Sequence, residues 1–167
     1  MEEIILVDEK DNEIGSCEKL EAHKKGLLHR AFSIIIFNSR HEFLLQRRAL
    51  TKYHCPGLWS NACCSHPRLN ETLQNAIHRR LVEEMGFDCY LKKKFVFNYK
   101  VSFSNGLIEN EIDHVFLGRY DRKIDFNKAE VEEVKWVNFK DLIKDIKENP
   151  ENYTPWLKII VNFLEMG

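Results

Sequence analysis

One amphipathic run, residues 70–86, set between stretches rich in β-branched and aromatic side chains, limits this chain more than any other feature. Asn70 is placed to cap a helix running through Met85, with Leu73, Ala76, Ile77 and Leu81 on one face. Gly86 is its stop, because glycine enters the left-handed region without a Cβ penalty. Strands are predicted at Ile4–Val7, Ser33–Phe37 and Phe43–Arg47, the last two forming a hairpin across the polar turn Asn38–Glu42. Two more, Phe95–Phe103 and Glu111–Tyr120, flank the turn signal Ser104-Asn105-Gly106, and Val131–Val137 follows. Asn138 or Asp141 opens a short helix, and Thr154-Pro155 starts a last one ending near Met166. The expected class is α/β of the α+β kind. Residues 51–69 break the pattern as a loop rich in His, Cys and Trp.

The bulk numbers narrow the partners. A chain of 167 residues without repeat or linker is expected to form a single domain, 1–167, as a monomer or homodimer. Lys plus Arg number 25 against 26 Asp plus Glu, so no global field recommends nucleic acid or an anionic membrane, and an anion site must be local. Met1-Glu2-Glu3 is acidic where an export signal is basic, and no apolar run approaches the ~18 residues of a membrane span, which implies a cytoplasmic protein. Five cysteines, an odd number, read as reduced thiols.

Four constellations carry chemistry. On the central helix Arg80 and Glu84 stand one turn apart, a pairing that serves a phosphate and a metal as readily as a solvated salt-bridge stripe. In Asn61-Ala62-Cys63-Cys64-Ser65-His66-Pro67, Cys64 and His66 share a side if the segment is extended. In Glu109-Asn110-Glu111 two carboxylates at i and i+2 project from one strand face and can approach the same cation, a spacing that exposed strand edges also show. His23 and His29, six residues apart, need a loop or helix end to orient them.

The segment Ser65-x5-Glu71-x7-Arg79-Arg80-Leu81-x-Glu83-Glu84-x-Gly86-Phe87 resembles the Nudix box. Ser65 stands where that family has glycine, and Arg80 where its hydrolases have glutamate. A guanidinium in place of a carboxylate removes help for a hydrolytic water and adds a phosphate clamp. From about His23 to Trp156 the chain is similar to the type I isopentenyl-diphosphate isomerases, through His29-Arg30-Ala31-Phe32-Ser33, Arg47–Lys52 and Pro56–Asn61 before the Cys-x-His-Pro register. That resemblance implies a mixed β-sheet sandwiched between helices and an isomerase shifting a C=C bond of a small isoprenoid diphosphate. It implies a divalent metal (Mn, Zn or Mg) on His23, His29, His66, Glu109 and Glu111, and a magnesium ion near Glu84 that meets the substrate diphosphate. Arg48, Lys52 and Arg80 match diphosphate-binding positions, and Trp156 a tryptophan whose π-face stabilises a carbocation. Cys64, Glu111 and Tyr99 match the catalytic group. Proton delivery is expected from the Glu111/Tyr99 side and removal by Cys64 as a thiolate beside fixed cations. Cys63 is expected to be dispensable, and no flavin site is apparent. The competing readings are a Nudix diphosphate hydrolase and a zinc-stapled binding module using Cys55, Cys63 or Cys64, and His66.

Overall fold

The computed structural model describes all residues, Met1–Gly167. Nine strands and four helices follow in the order β1 (Glu3–Val7), β2 (Glu13–Glu18), α1 (Lys19–Lys25), β3 (His29–Phe37), β4 (Glu42–Arg48), β5 (Trp59–Ser60), β6 (Cys63–Ser65), α2 (Leu73–Met85), β7 (Leu91–Ser102), β8 (Ile108–Arg119), β9 (Val131–Asn138), α3 (Phe139–Glu148) and α4 (Pro155–Met166). A 3-10 turn at Pro150–Asn152 joins α3 to α4. No helix is long and apolar enough to cross a membrane.

Strand β3 organises the rest. Seven of its nine residues are buried with no polar alternation, as required of a strand covered on both faces. Along one edge it pairs in parallel with β8, from His29↔Glu111 to Phe37↔Arg119. Along the other edge it meets β1 at His29, β6 at Phe32–Ile34 and β4 at Phe37. The expected β3–β4 hairpin therefore shrinks to one registered pair, Phe37↔Phe43. Its physical cause is competition: β6 holds the edge a longer hairpin would use, and β4 instead pairs with β9 from Glu42 to Arg48.

Alternation along β3 separates two cores. Phe32, Ile34 and Ile36 pack with Ala76, Ile77, Leu81 and Met85 of α2, while Ile35 packs with Leu142 of α3 and with Trp156, Leu157, Ile160 and Val161 of α4. The sheet is thus covered by helices on both faces. Each such Leu or Ile contributes roughly 1.5–3 kcal/mol of burial.

The helix ends agree with the sequence except at α2. Thr72, not Asn70, caps it, its side chain accepting from the Asn75 N–H. Asn70 sits at φ 63 in the preceding turn, a conformation asparagine tolerates, and so falls outside the helix. Gly86 ends α2 at φ 74, and a Cβ there would lie 2.1 Å from the Asp125 carbonyl oxygen. Asn138 rather than Asp141 caps α3, and Thr154 with Pro155 opens α4. The segment read as loop, 51–69, contains the short strands β5 and β6, and it is β6 that carries Cys64 beside β3.

Candidate active site and metal centre

A cleft of ≈ 640 Å³, counted to its mouth, is lined by residues from β3, β4, β6, β7, β8, α2 and α4. Among its walls are Arg48, Lys52, Cys64, His66, Arg80, Tyr99, Glu109, Glu111 and Trp156, so most of the residues singled out from sequence converge here.

At one end the side chains of His23, His29, His66, Glu109 and Glu111 meet, with ligand atoms all within 4.8 Å of one another and every residue buried. The α1 helix ends two residues past His23, and the His23 Nδ1 donates to the Lys19 carbonyl at 2.7 Å. His29 opens β3 and donates its Nδ1 to the Leu27 carbonyl at 2.8 Å. Both backbone bonds fix the tautomer and turn the Nε2 lone pairs inward, the arrangement that orients imidazole ligands. The His23 Nε2 lies 2.8 Å from Glu109 Oε1 and the His29 Nε2 3.4 Å from Glu111 Oε1, yet neither nitrogen has a hydrogen-bond partner. Lone pairs facing carboxylate oxygens in a buried site repel unless a cation lies between them, so the donor set fits a divalent metal. On β8, Glu109 and Glu111 share a face while the intervening Asn110 donates to the Gly26 carbonyl at 3.0 Å, tying that strand to the end of α1.

The ionisation states follow from burial and neighbours. Burial and the Glu111 charge push the Glu109 carboxyl up to about 8. Burial also pushes Glu111 up, but Glu109 and the facing His29 and His66 imidazoles outweigh it and hold this carboxyl well below the usual range. Burial brings His66 down to about 3, leaving the neutral imidazole that ligates metals. Tyr99 donates its hydroxyl to Glu111 Oε2 at 2.8 Å.

At the other end the cations are already paired. Arg80 donates to Glu84 Oε1 at 2.6 Å and to Glu83 Oε2 at 2.8 Å. Lys52 pairs with Glu130 and lies 3.9 Å from Glu84 Oε1. Arg48 donates its Nε to the His54 carbonyl at 3.1 Å and places its guanidinium 5.2 Å from the centre of the Trp156 ring. One face of that ring is thus engaged by a cation of the protein itself. Glu71 and Arg79 lie off the cleft, joined by two hydrogen bonds of 2.6 and 2.8 Å that fasten the segment before α2 to the helix.

Register decides between the adjacent cysteines. Cys63 pairs with Ile34 and is buried in the core under α2, whereas Cys64 pairs with Ser33 and reaches the cleft. The Cys64 thiol donates to Asn61 Oδ1 at 3.2 Å, with Ser33 Oγ at 3.5 Å. Asn61 is held in turn by bonds to the Ile34 and Cys63 carbonyls, at 3.1 and 3.0 Å. Burial pushes the thiol up to about 12, the Asp113 carboxyl adds to the rise, and Arg48 offsets only part of it. Burial thus favours the thiol over the thiolate expected from the sequence. The zinc-staple reading also fails on geometry, since the donor group contains no cysteine.

Sequence reasoning passed over His54, Asp113 and Glu130. His54 belongs to the loop flagged for its histidines and cysteines, and Asp113 extends the Glu109/Glu111 alternation by one more step on β8. Nothing in the sequence marks Glu130.

The NUDIX domain profile matches residues 27–157. Isopentenyl-diphosphate Delta-isomerase 2 of Photorhabdus laumondii is 54% identical over 165 residues, covering 98% of this chain and 93% of that protein. Isopentenyl-diphosphate Delta-isomerase 2 of Aromatoleum aromaticum is 52% identical over 156 residues, covering 93% and 82%. Among solved structures, DR0079 from Deinococcus radiodurans superposes with a TM-score of 0.80 at 18% identity, covering 96% of this chain and 98% of that one. This last likeness bears on the fold alone.

Proposed function

The chain belongs to the NUDIX domain family and, within it, to the isopentenyl-diphosphate Delta-isomerases, and on that premise we propose that it interconverts isopentenyl and dimethylallyl diphosphate by proton addition and removal. The observation that carries this reading is the shared cleft: one thiol, one carboxylate with its phenol partner, and three cations line the same space.

In the forward direction a proton adds to the terminal alkene carbon, positive charge develops at the tertiary carbon, and a proton leaves the carbon nearer the diphosphate. Protons balance, and no electron transfer is called for. Two positioned acid–base groups of this kind contribute typically ~10²–10⁴-fold each. In the resting ionisation Cys64 carries the proton and Glu111 is the carboxylate, so Cys64 delivers and Glu111 accepts, assisted by the Tyr99 hydroxyl. This reverses the direction expected from sequence, and the back reaction runs the roles the other way. Trp156, its indole N–H fixed by Ser60 Oγ at 2.9 Å, presents aromatic surface to the developing cation.

A divalent cation (manganese, zinc or magnesium) on His23, His29, His66, Glu109 and Glu111 would offset the buried negative charge and hold Glu111 in place. Arg48, Lys52 and Arg80 bind the diphosphate, and Glu84 contributes an oxygen for magnesium that accompanies it. Supplying isopentenyl diphosphate with magnesium and following the products by proton NMR tests the assignment. Dimethylallyl diphosphate should appear; release of phosphate or pyrophosphate in its place would make the chain a hydrolase.

A further inference from the structure

The loop between β4 and β5 carries an imidazole that neither the sequence motifs nor the five-residue donor group includes. His54 is almost wholly buried, with 7% of its side chain exposed, and its Nε2 lies 2.9 Å from Glu109 Oε1. The same oxygen is 2.8 Å from the His23 Nε2, so Glu109 lies between two imidazoles. The His54 and His23 rings meet edge to face with centroids 4.7 Å apart. Neither nitrogen of His54 has a hydrogen-bond partner, so nothing else competes for the ring.

The ring is held firmly. Tyr53 and Phe103 stand at 4.7 and 4.9 Å from it, and the His54 carbonyl accepts from Arg48 at 3.1 Å. The Tyr53 carbonyl is itself held by Asn105 at 2.9 Å. His54 stands outside the group whose ligand atoms all lie within 4.8 Å of one another, and it touches that group through Glu109 and the His23 ring. That placement suits a residue acting on a ligand rather than one bound to the cation.

We propose that His54 is a positioning residue of the metal centre: its imidazole holds the Glu109 carboxylate in its ligating orientation, and its backbone couples that orientation to Arg48 on the diphosphate side. The inference rests on the reading of the His/Glu cluster as a metal site. Groups that orient a ligand in this way typically raise metal affinity ~10–100-fold.

Cobalt(II) is the probe, titrated into metal-stripped full-length protein, with affinity read from its visible absorption bands. Wild type should bind one cobalt ion. His54→Ala should bind it ~10–100-fold more weakly with the same band positions and intensities, and His54→Gln, which keeps an N–H donor, should recover part of the loss. Thermal melting of the metal-stripped proteins separates this from unfolding, because wild type and both variants should melt alike without metal. Equal affinity in wild type and His54→Ala overturns the inference alone. Altered band intensities in His54→Ala also overturn it, by making His54 a ligand. Absence of cobalt binding to wild type overturns the metal-site reading and this inference together.

Discussion

The two ends of the cleft use charge in opposite ways. At the β3–β8 end, five buried donors crowd together, and three of the imidazole nitrogens have no hydrogen-bond partner. At the α2 end, Arg80 and Lys52 are neutralised by Glu84, Glu83 and Glu130. The first arrangement leaves buried polar atoms unpaired, a deficit that a cation would remove. The second is complete by itself, and on the proposed function an incoming diphosphate would have to exchange places with carboxylates, with Glu84 then free to hold an accompanying magnesium ion. On the proposed function the contrast divides the labour: one end would fix an acid–base group, while the other would admit and release a charged substrate.

Removing a ligand tests the first end most severely. Glu109→Ala should abolish bound metal and isomerase activity together, measured by elemental analysis and product NMR on the same sample. A fully active, metal-depleted variant would break the distinction between the ends.

Next in size is the reactivity of Cys64. With the thiol pushed up to about 12, only ~10⁻⁴ of it is thiolate at pH 8, so iodoacetamide should label it roughly 10³-fold more slowly than an ordinary exposed cysteine. The rate should climb about tenfold per pH unit, because the charged form is the nucleophile and its fraction grows with pH until the thiol titrates. Fast labelling at pH 7, mapped to Cys64 by mass spectrometry, would restore the thiolate base.

Arg80→Ala probes the second end. Loss of charge-assisted hydrogen bonds worth ~1.5–3 kcal/mol should raise KM by about 10–100-fold with a smaller effect on kcat. The same change leaves Glu84 buried without its closest partner, so a loss of stability should accompany it, up to ~3–5 kcal/mol and less to the extent that Lys52 at 3.9 Å compensates. An unchanged KM would remove Arg80 from diphosphate binding. The smallest effect is expected at Cys63→Ala, where the side chain faces the α2 core: near-normal kcat in a steady-state assay, with a modest stability loss.

How far these ends were legible in the sequence differs in the same way. Arg80 and Glu84 sit at i and i+4 on a helix whose apolar face is plain, so their contact follows from helical spacing. The caps Thr154 and Asn138 were equally readable. By contrast, His29 and Glu111 become neighbours only through the parallel β3–β8 pairing, a long-range contact that local pattern does not contain, and resemblance to a family supplied it. Strand β2 escaped notice because its six residues are exposed or half-buried and show no alternation, and α1 because seven residues carry barely two turns of period. His29 and Arg30 looked like loop because charged residues seldom begin a buried strand, yet both lie in β3, where Arg30 donates to Asp11 at 3.0 Å. His54 offered only a lone histidine beside a proline–glycine turn, and burial gave it meaning.

Isomerisation in deuterated water tests the central claim most directly, namely that Cys64 and Glu111 move protons in a cleft that holds the diphosphate intact. With isopentenyl diphosphate and magnesium, wild type should place deuterium in a methyl group of dimethylallyl diphosphate, and folded Cys64→Ala should form neither the product nor the label. Product formed by Cys64→Ala at the wild-type rate, or pyrophosphate released by wild type without any labelled product, would contradict it.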